Sequence, residues 1–287
     1  MVPQAATGRS GRAEKSESRL SPVVLGLAAI LSVLALLVAG SNVAVAEGRG
    51  STSAWSDDFT ETQLNSRFWA VSKGSAPGYI ANQHQGYFTP ANVSLSGGYL
   101  VLKLTQQTGT VGNNAAGVLS YGGQVRTRHT YGYGTYTWTM RMSSTAAAPT
   151  GAGAAVSGSV SAGFIYFNNS QTEIDFQFPA DSADSPYLVN WLNPSPASSP
   201  APSDETFTTE AGLNVATSFH TYKFVWQPGR IDYYVDGTLE VTHTTNVPTA
   251  PAYFMMNHWG TDDPNWGGAA SPGVTRYFYV RSVSYSP

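Results

Sequence analysis

The sequence predicts an all-β protein built as two stacked antiparallel sheets of jelly-roll type. Three observations lead there. From Trp55 onward apolar and polar residues alternate, the period of a half-buried strand, and no long stretch shows helical period. Turn-forming clusters separate these runs at short intervals. The composition, 12% aromatic and 11% charged with 29 Gly and 17 Pro, is too apolar for a disordered chain and lacks the Ala/Glu/Lys/Leu balance of a helical bundle.

Residues 1–46 read as a leader. A positively biased segment precedes the apolar run Pro22 to Ala39, and Ala44-Val45-Ala46 gives a small-x-small cleavage pattern. The run is long for a signal peptide and near the lower limit for a membrane span. It is therefore read as a cleaved secretory signal or an uncleaved N-terminal membrane anchor, and both place the domain outside the cytoplasm. Residues 47–54 read as a linker, and 55–287 as one domain.

Within that domain the strands follow in order. Tyr99 to Leu104 comes after a Ser96-Gly97-Gly98 turn. Gly134 to Met142 sets Tyr136, Trp138, Met140 and Met142 on one face and Thr135, Thr137, Thr139 and Arg141 on the other. Tyr222 to Trp226, Ile231 to Val235 and Thr238 to Val241 are joined by Pro228-Gly229 and Asp236-Gly237, both hairpin signals. Tyr253 to His258 and Tyr277 to Tyr285 complete a set of about a dozen strands. Thr145 to Ser161, rich in Ala, Gly and Ser, and Asn193 to Glu210, rich in Pro and Ser, read as loops.

Charge and cysteine content exclude several functions. The chain carries net charge −3; without the leader it has 11 basic and 16 acidic groups, net −5. No basic patch points to nucleic acid. With no cysteine there is neither disulfide nor thiol chemistry. His84, His129, His220, His243 and His258 show no metal-ligand spacing, no G-x-S-x-G segment supports a serine hydrolase, and no cofactor is implied.

The most informative segment is Glu173-Ile174-Asp175-Phe176-Gln177-Phe178. On a strand Glu173, Asp175 and Gln177 share one face while Ile174, Phe176 and Phe178 share the other. Two carboxylates about 7 Å apart on one face repel each other, so such a pair is costly without a use. A solvated polar face is the bland reading of an isolated E-x-D. Retaining glycosidases, by contrast, need two carboxyl groups about 5–5.5 Å apart across the scissile bond. Residues i and i+4 of one strand are about 13 Å apart at Cα, a gap that long side chains leaning together largely close.

This segment resembles the catalytic E-x-D-x-E strand of glycoside hydrolase family 16, which includes laminarinases, lichenases and related transglycosylases. Further matches keep the order: Arg126 with Thr130 to Tyr136; Phe219-His220-Thr221-Tyr222 with Trp226-Gln227-Pro228-Gly229 and Tyr234-Val235-Asp236-Gly237; and Met255-Met256-Asn257-His258-Trp259. The resemblance spans roughly Trp55 to Tyr285. It implies a concanavalin A-like jelly roll with a carbohydrate-binding cleft, acting on a β-glucan-type polysaccharide of 1,3 or mixed 1,3-1,4 linkage. A monomer is the default expectation.

By the same resemblance Glu173 is the nucleophile, Asp175 its hydrogen-bonding neighbour, and position 177 the general acid/base. Here that position holds Gln177, and the next, used in some members, holds Phe178. An amide cannot hand over a proton, and a general acid contributes typically about 10²–10⁴-fold. A non-catalytic carbohydrate-binding protein on the same scaffold is therefore the alternative. Asp181, Asp184 and Glu205 are candidates for a borrowed acid. Arg126, Tyr166, Asn190, Asn257 and Trp259 are expected to bind sugar, with Trp191 resting on the same looser match as Asn190. Trp138 and Trp226 are assigned to the core. Arg281 falls where many members carry a calcium-binding Asp, so no metal is expected.

Overall fold

A computed structural model describes residues 51–182, 185–197, 204–209 and 212–287, with Asp204–Phe207 described by backbone alone. The expected leader and linker residues 47–50 lie outside this range. In chain order the strands are β1 (Trp55–Asp57), β2 (Trp69–Val71), β3 (Gly74–Ser75), β4 (His84–Phe88), β5 (Val93–Leu95), β6 (Leu100–Val111), β7 (Ala115–Tyr131), β8 (Gly134–Ser144), β9 (Ser159–Phe167), β10 (Thr172–Pro179), β11 (Tyr187–Leu192), β12 (Asp204–Thr209), β13 (His220–Gln227), β14 (Arg230–Val235), β15 (Thr238–His243), β16 (Ala252–Gly260) and β17 (Arg276–Ser286).

They form two antiparallel layers. One runs β12–β11–β10–β9–β16–β7–β2. The other runs β15–β14–β13–β8–β17, with β1 and β6 sharing the far edge of β17 and β5 beyond β6. The second half of β6 leaves that layer to pair with the first half of β7, whose outer edge takes β4 in parallel. The all-β sandwich is as the alternation predicts. The extra strands are mainly two- and three-residue edge pieces, too short to show a period. β12 corrects the reading of Asn193 to Glu210 as loop throughout: it adds six residues to the edge of β11. The loop read from Thr145 likewise ends sooner, since β9 starts at Ser159.

Both hairpin signals operate as local chemistry dictates. Pro228 and Gly229 (φ +70°) join β13 to β14, with proline presetting the first turn position and glycine taking the left-handed one. Asp236 and Gly237, both at positive φ, join β14 to β15, the backbone hand that matches strand twist.

The core lies between the layers. Ile165, Ile174, Phe176, Phe178, Phe254 and Met256 from the first layer meet Tyr136, Trp138, Met140, Tyr222, Phe224 and Trp226 from the second, all fully buried. Trp138 stacks on Phe254 with ring centroids 4.3 Å apart. Gly163 makes room for this: a Cβ there would stand 2.9 Å from Trp138 Cδ1. Each fully buried large apolar side chain stabilises by roughly 1.5–3 kcal/mol.

Two buried polar centres tie the loops down. Arg141, predicted on the polar face of β8, is buried and bonds the carbonyls of Pro149, Gly151 and Ala216. Gln106 donates to Ser120 Oγ and to the carbonyls of Gly158 and Thr261, and accepts from Ser271 N and from Arg276. Burial lowers the Arg276 guanidinium to about 10.

Candidate active site

The first layer has one face in the core and one turned away from it, and pairing register sorts the candidate residues into rows on the outer face. Glu173 stands between Trp191 on β11 and Tyr166 on β9, with Tyr253 of β16 beyond Tyr166. Asp175 stands between Val189 and Phe164, followed by Met255 and Arg126. Gln177 stands between Tyr187 and Ala162, followed by Asn257 and Gln124. Ala162, Phe164 and Met255, with Tyr166 and Tyr253, make an apolar cluster separate from the core, which forms the floor of this face.

The strand alternation read in the sequence positions the carboxylates. Ile174, Phe176 and Phe178 are pulled into the core, so Glu173, Asp175 and Gln177 come out together on the opposite face. Glu173 and Asp175 are nonetheless well covered, 4% and 1% exposed, whereas Gln177 is half-buried. Ser170 Oγ donates a hydrogen bond to Glu173 Oε2. Ser170 lies in the β9–β10 turn, where Asn168, Asn169 and Ser170 all take positive φ. Burial, and the Glu173 carboxylate beside it, push the Tyr166 hydroxyl well up, so it stays protonated and able to donate.

Arg126 is half-buried, its guanidinium 4.3 Å above the Tyr253 ring. Asn257 is 7% exposed; its amide nitrogen reaches toward Gln124 Oε1 at 3.5 Å, while its buried Oδ1 has no partner among the described residues. These two share the face of the carboxylates.

Asn190 does not, and the expectation that it binds sugar is corrected. It pairs with Ile174, so its side chain points to the core side. There it is fully buried, donating to the carbonyls of Thr245 and Asn246, with Oδ1 2.7 Å from His243 Nδ1. Its neighbour Trp191 occupies the row of Glu173. Trp259 lies on the outer face but is only 5% exposed, packed with Ala76, Phe88 and Val160. Gly78 (φ +81°) lies against its indole, where a Cβ would stand 2.9 Å from Cζ3. The aromatic surface left at that end is Trp266 beside Tyr187, ring centroids 5.2 Å apart. Sequence reasoning missed this pair, because Trp266 sits in a loop with no strand period to flag it.

Of the candidate substitute acids, Asp181 lies four residues beyond Gln177, past the end of β10. Its carboxylate accepts from Gly267 N at 3.0 Å, and burial raises its pKa. At about 3.3 Å of rise per residue it is far outside the 5–5.5 Å that a retaining pair needs from Glu173. Glu205 pairs in register with Trp191, two strands from Glu173 or about 10 Å. Asp184 lies outside the described residues. Arg281, where the resemblance expects a calcium-binding Asp, is exposed on β17.

Comparison with known proteins bears on this geometry. The chain spans about a third of the length of the first curated relatives it matches; a Paenibacillus polymyxa β-glucanase is 48% identical over 77 residues, 25% of this chain and 32% of that protein. A β-glucanase of Acetivibrio thermocellus is 28% identical over 270 residues, 90% of this chain and 71% of that one. Among solved structures, Bacillus licheniformis β-glucanase superposes with a TM-score of 0.63 at 26% identity, covering 82% of this chain and 98% of that chain. The model of the glycosyl hydrolases family 16 matches residues 80–276, and the chain belongs to that family.

Proposed function

We propose that this chain is a secreted, monomeric retaining glycoside hydrolase or transglycosylase acting on β-glucan, with Glu173 as nucleophile and Asp175 as the group that orients it. The observation that carries the reading is the placement of Glu173 and Asp175, side by side on the outer face of β10, in a family 16 chain. The names of the curated relatives compared above, β-glucanases, support the substrate class. Arg126, Asn257, Tyr166 and Tyr253 supply hydrogen-bonding and ring surface along one side of the carboxylates, and Trp191, Tyr187 and Trp266 along the other. In the first step a Glu173 oxygen attacks the anomeric carbon from the face opposite the leaving group. The apolar floor of Ala162, Phe164 and Met255 excludes water beneath the sugar.

One observation favours a second reading. Gln177 holds the acid/base position, and a chain able to bind but not to protonate is a carbohydrate-binding protein on an enzyme scaffold. A reducing-end assay on laminarin and lichenan separates the two, with wild type compared with Gln177→Glu and Glu173→Ala. Wild-type turnover above Glu173→Ala supports the enzyme. Saturable binding without turnover, with activity appearing in Gln177→Glu, supports the binding role. Neither binding nor turnover in any variant would sink the proposal.

A further inference from the structure

A retaining glycosidase needs a nucleophile and a proton donor, and this chain pairs a well-held nucleophile with an amide. On the nucleophile side, Ser170 bonds Glu173, and Tyr166 and Trp191 flank it in register. On the donor side, Gln177 can offer an N–H to a departing oxygen but has no proton to transfer. Asp181 lies past the strand end and is engaged with the Gly267 backbone. The chemistry that survives is the half-reaction in which no proton moves.

Resting on the family 16 reading above, we infer that Glu173 forms a glycosyl-enzyme from β-glycosyl donors whose leaving group departs as a stable anion, such as a phenolate, carboxylate, phosphate or fluoride. β-Glucan, whose leaving group is an alkoxide, remains a donor but reacts about 10²–10⁴-fold more slowly for want of an acid. The step balances without an acid. A Glu173 carboxylate oxygen forms an ester bond to C1 while the bond from C1 to the leaving group breaks, and its electron pair leaves with the anion. In the second half an acceptor that is already an anion attacks C1, and the electron pair of the ester bond returns to Glu173. Water is a slow acceptor here because the Gln177 amide cannot take its proton. Transfer of the sugar to such an anion, with retention, therefore outpaces its release by hydrolysis.

The test uses the full chain with 2,4-dinitrophenyl β-laminaribioside, its 2-deoxy-2-fluoro analogue, laminarin, and sodium azide as acceptor. Laminarihexaose binding is measured alongside by calorimetry. Wild type is expected to release dinitrophenolate, to gain turnover with azide while forming the β-glycosyl azide, and to carry the fluoro-sugar as a mass adduct on Glu173. On laminarin it should be about 10²–10⁴-fold slower than Gln177→Glu. Azide should have little effect on Gln177→Glu, and both Glu173→Ala and Glu173→Gln should form no adduct. Wild-type cleavage of laminarin within about tenfold of Gln177→Glu would overturn the inference, because another group would then be supplying the proton. No adduct and no dinitrophenolate, with laminarihexaose still bound, would overturn it while leaving a family 16 binding site. Loss of binding as well would remove both readings.

Discussion

Ser170 Oγ donates its hydrogen bond directly to Glu173 Oε2, from a turn in which three consecutive non-glycine residues sit at positive φ. Hydrogen bonds to charged groups are worth about 1.5–3 kcal/mol. Ser170→Ala should therefore slow formation of the glycosyl-enzyme by roughly 10–100-fold while leaving laminarihexaose affinity unchanged, and Ser170→Thr should recover part of the rate. Stopped-flow release of dinitrophenolate measures the rate and calorimetry the affinity. Equal loss of both would mean that Ser170 merely holds the turn.

Asn190 is predicted to matter for stability and not for sugar. Asn190→Ala removes the buried hydrogen bonds that Asn190 makes to the carbonyls of Thr245 and Asn246 and to the His243 ring. The expected loss is about 2–4 kcal/mol of unfolding free energy, read from urea midpoints. Affinity for laminarihexaose in the surviving folded fraction should be unchanged. A selective loss of affinity at wild-type stability would restore the sequence reading.

Trp266, in contrast, should matter for sugar and not for stability. It is partly exposed beside Tyr187 at the Gln177 end of the site. Trp266→Ala is expected to weaken laminarihexaose binding by about 5–15-fold, the scale of one ring contact, with Glu173 still able to take the fluoro-sugar. Unchanged affinity would place the glycan elsewhere.

Stability should fall on mild acidification. Burial lowers His243 to about 4 and His258 to about 3, and lowers His84 as well. The unfolded chain takes up protons on these rings near pH 6.5, and the folded chain does not until lower pH. Their stabilising contribution is thus complete above about pH 6.5 and declines as pH falls toward 4, by up to about 1.4 kcal/mol per pH unit for each ring. Urea unfolding at pH 7.5, 6.5 and 5.5 checks this. A loss of about 1–3 kcal/mol is expected over the last step, and a flat profile would contradict the buried neutral rings.

Local period was enough to read the sandwich and the carboxylate strand. The alternation of Ile174, Phe176 and Phe178 fixes which way Glu173 and Asp175 face, whatever β10 pairs with. Asn190 escaped because its face depends on pairing with Ile174 across a connection whose length sets the parity. Trp259, expected to bind sugar, is covered by Gly78, a glycine far away in sequence. β12 was hidden in a segment whose composition favours turns, and its strand state comes from the edge that β11 offers. Long-range register and covering segments are the two things that period does not encode.

Gln106 gathers Ser120, Gly158, Thr261, Ser271 and Arg276 around one carboxamide, and so joins points up to 170 residues apart in sequence. In many exported proteins a disulfide closes such distances, and reduction opens them. Here, in a chain without cysteine, the cross-link is an uncharged amide. That end of the molecule is therefore indifferent to redox potential: thiols at any concentration leave its seam closed.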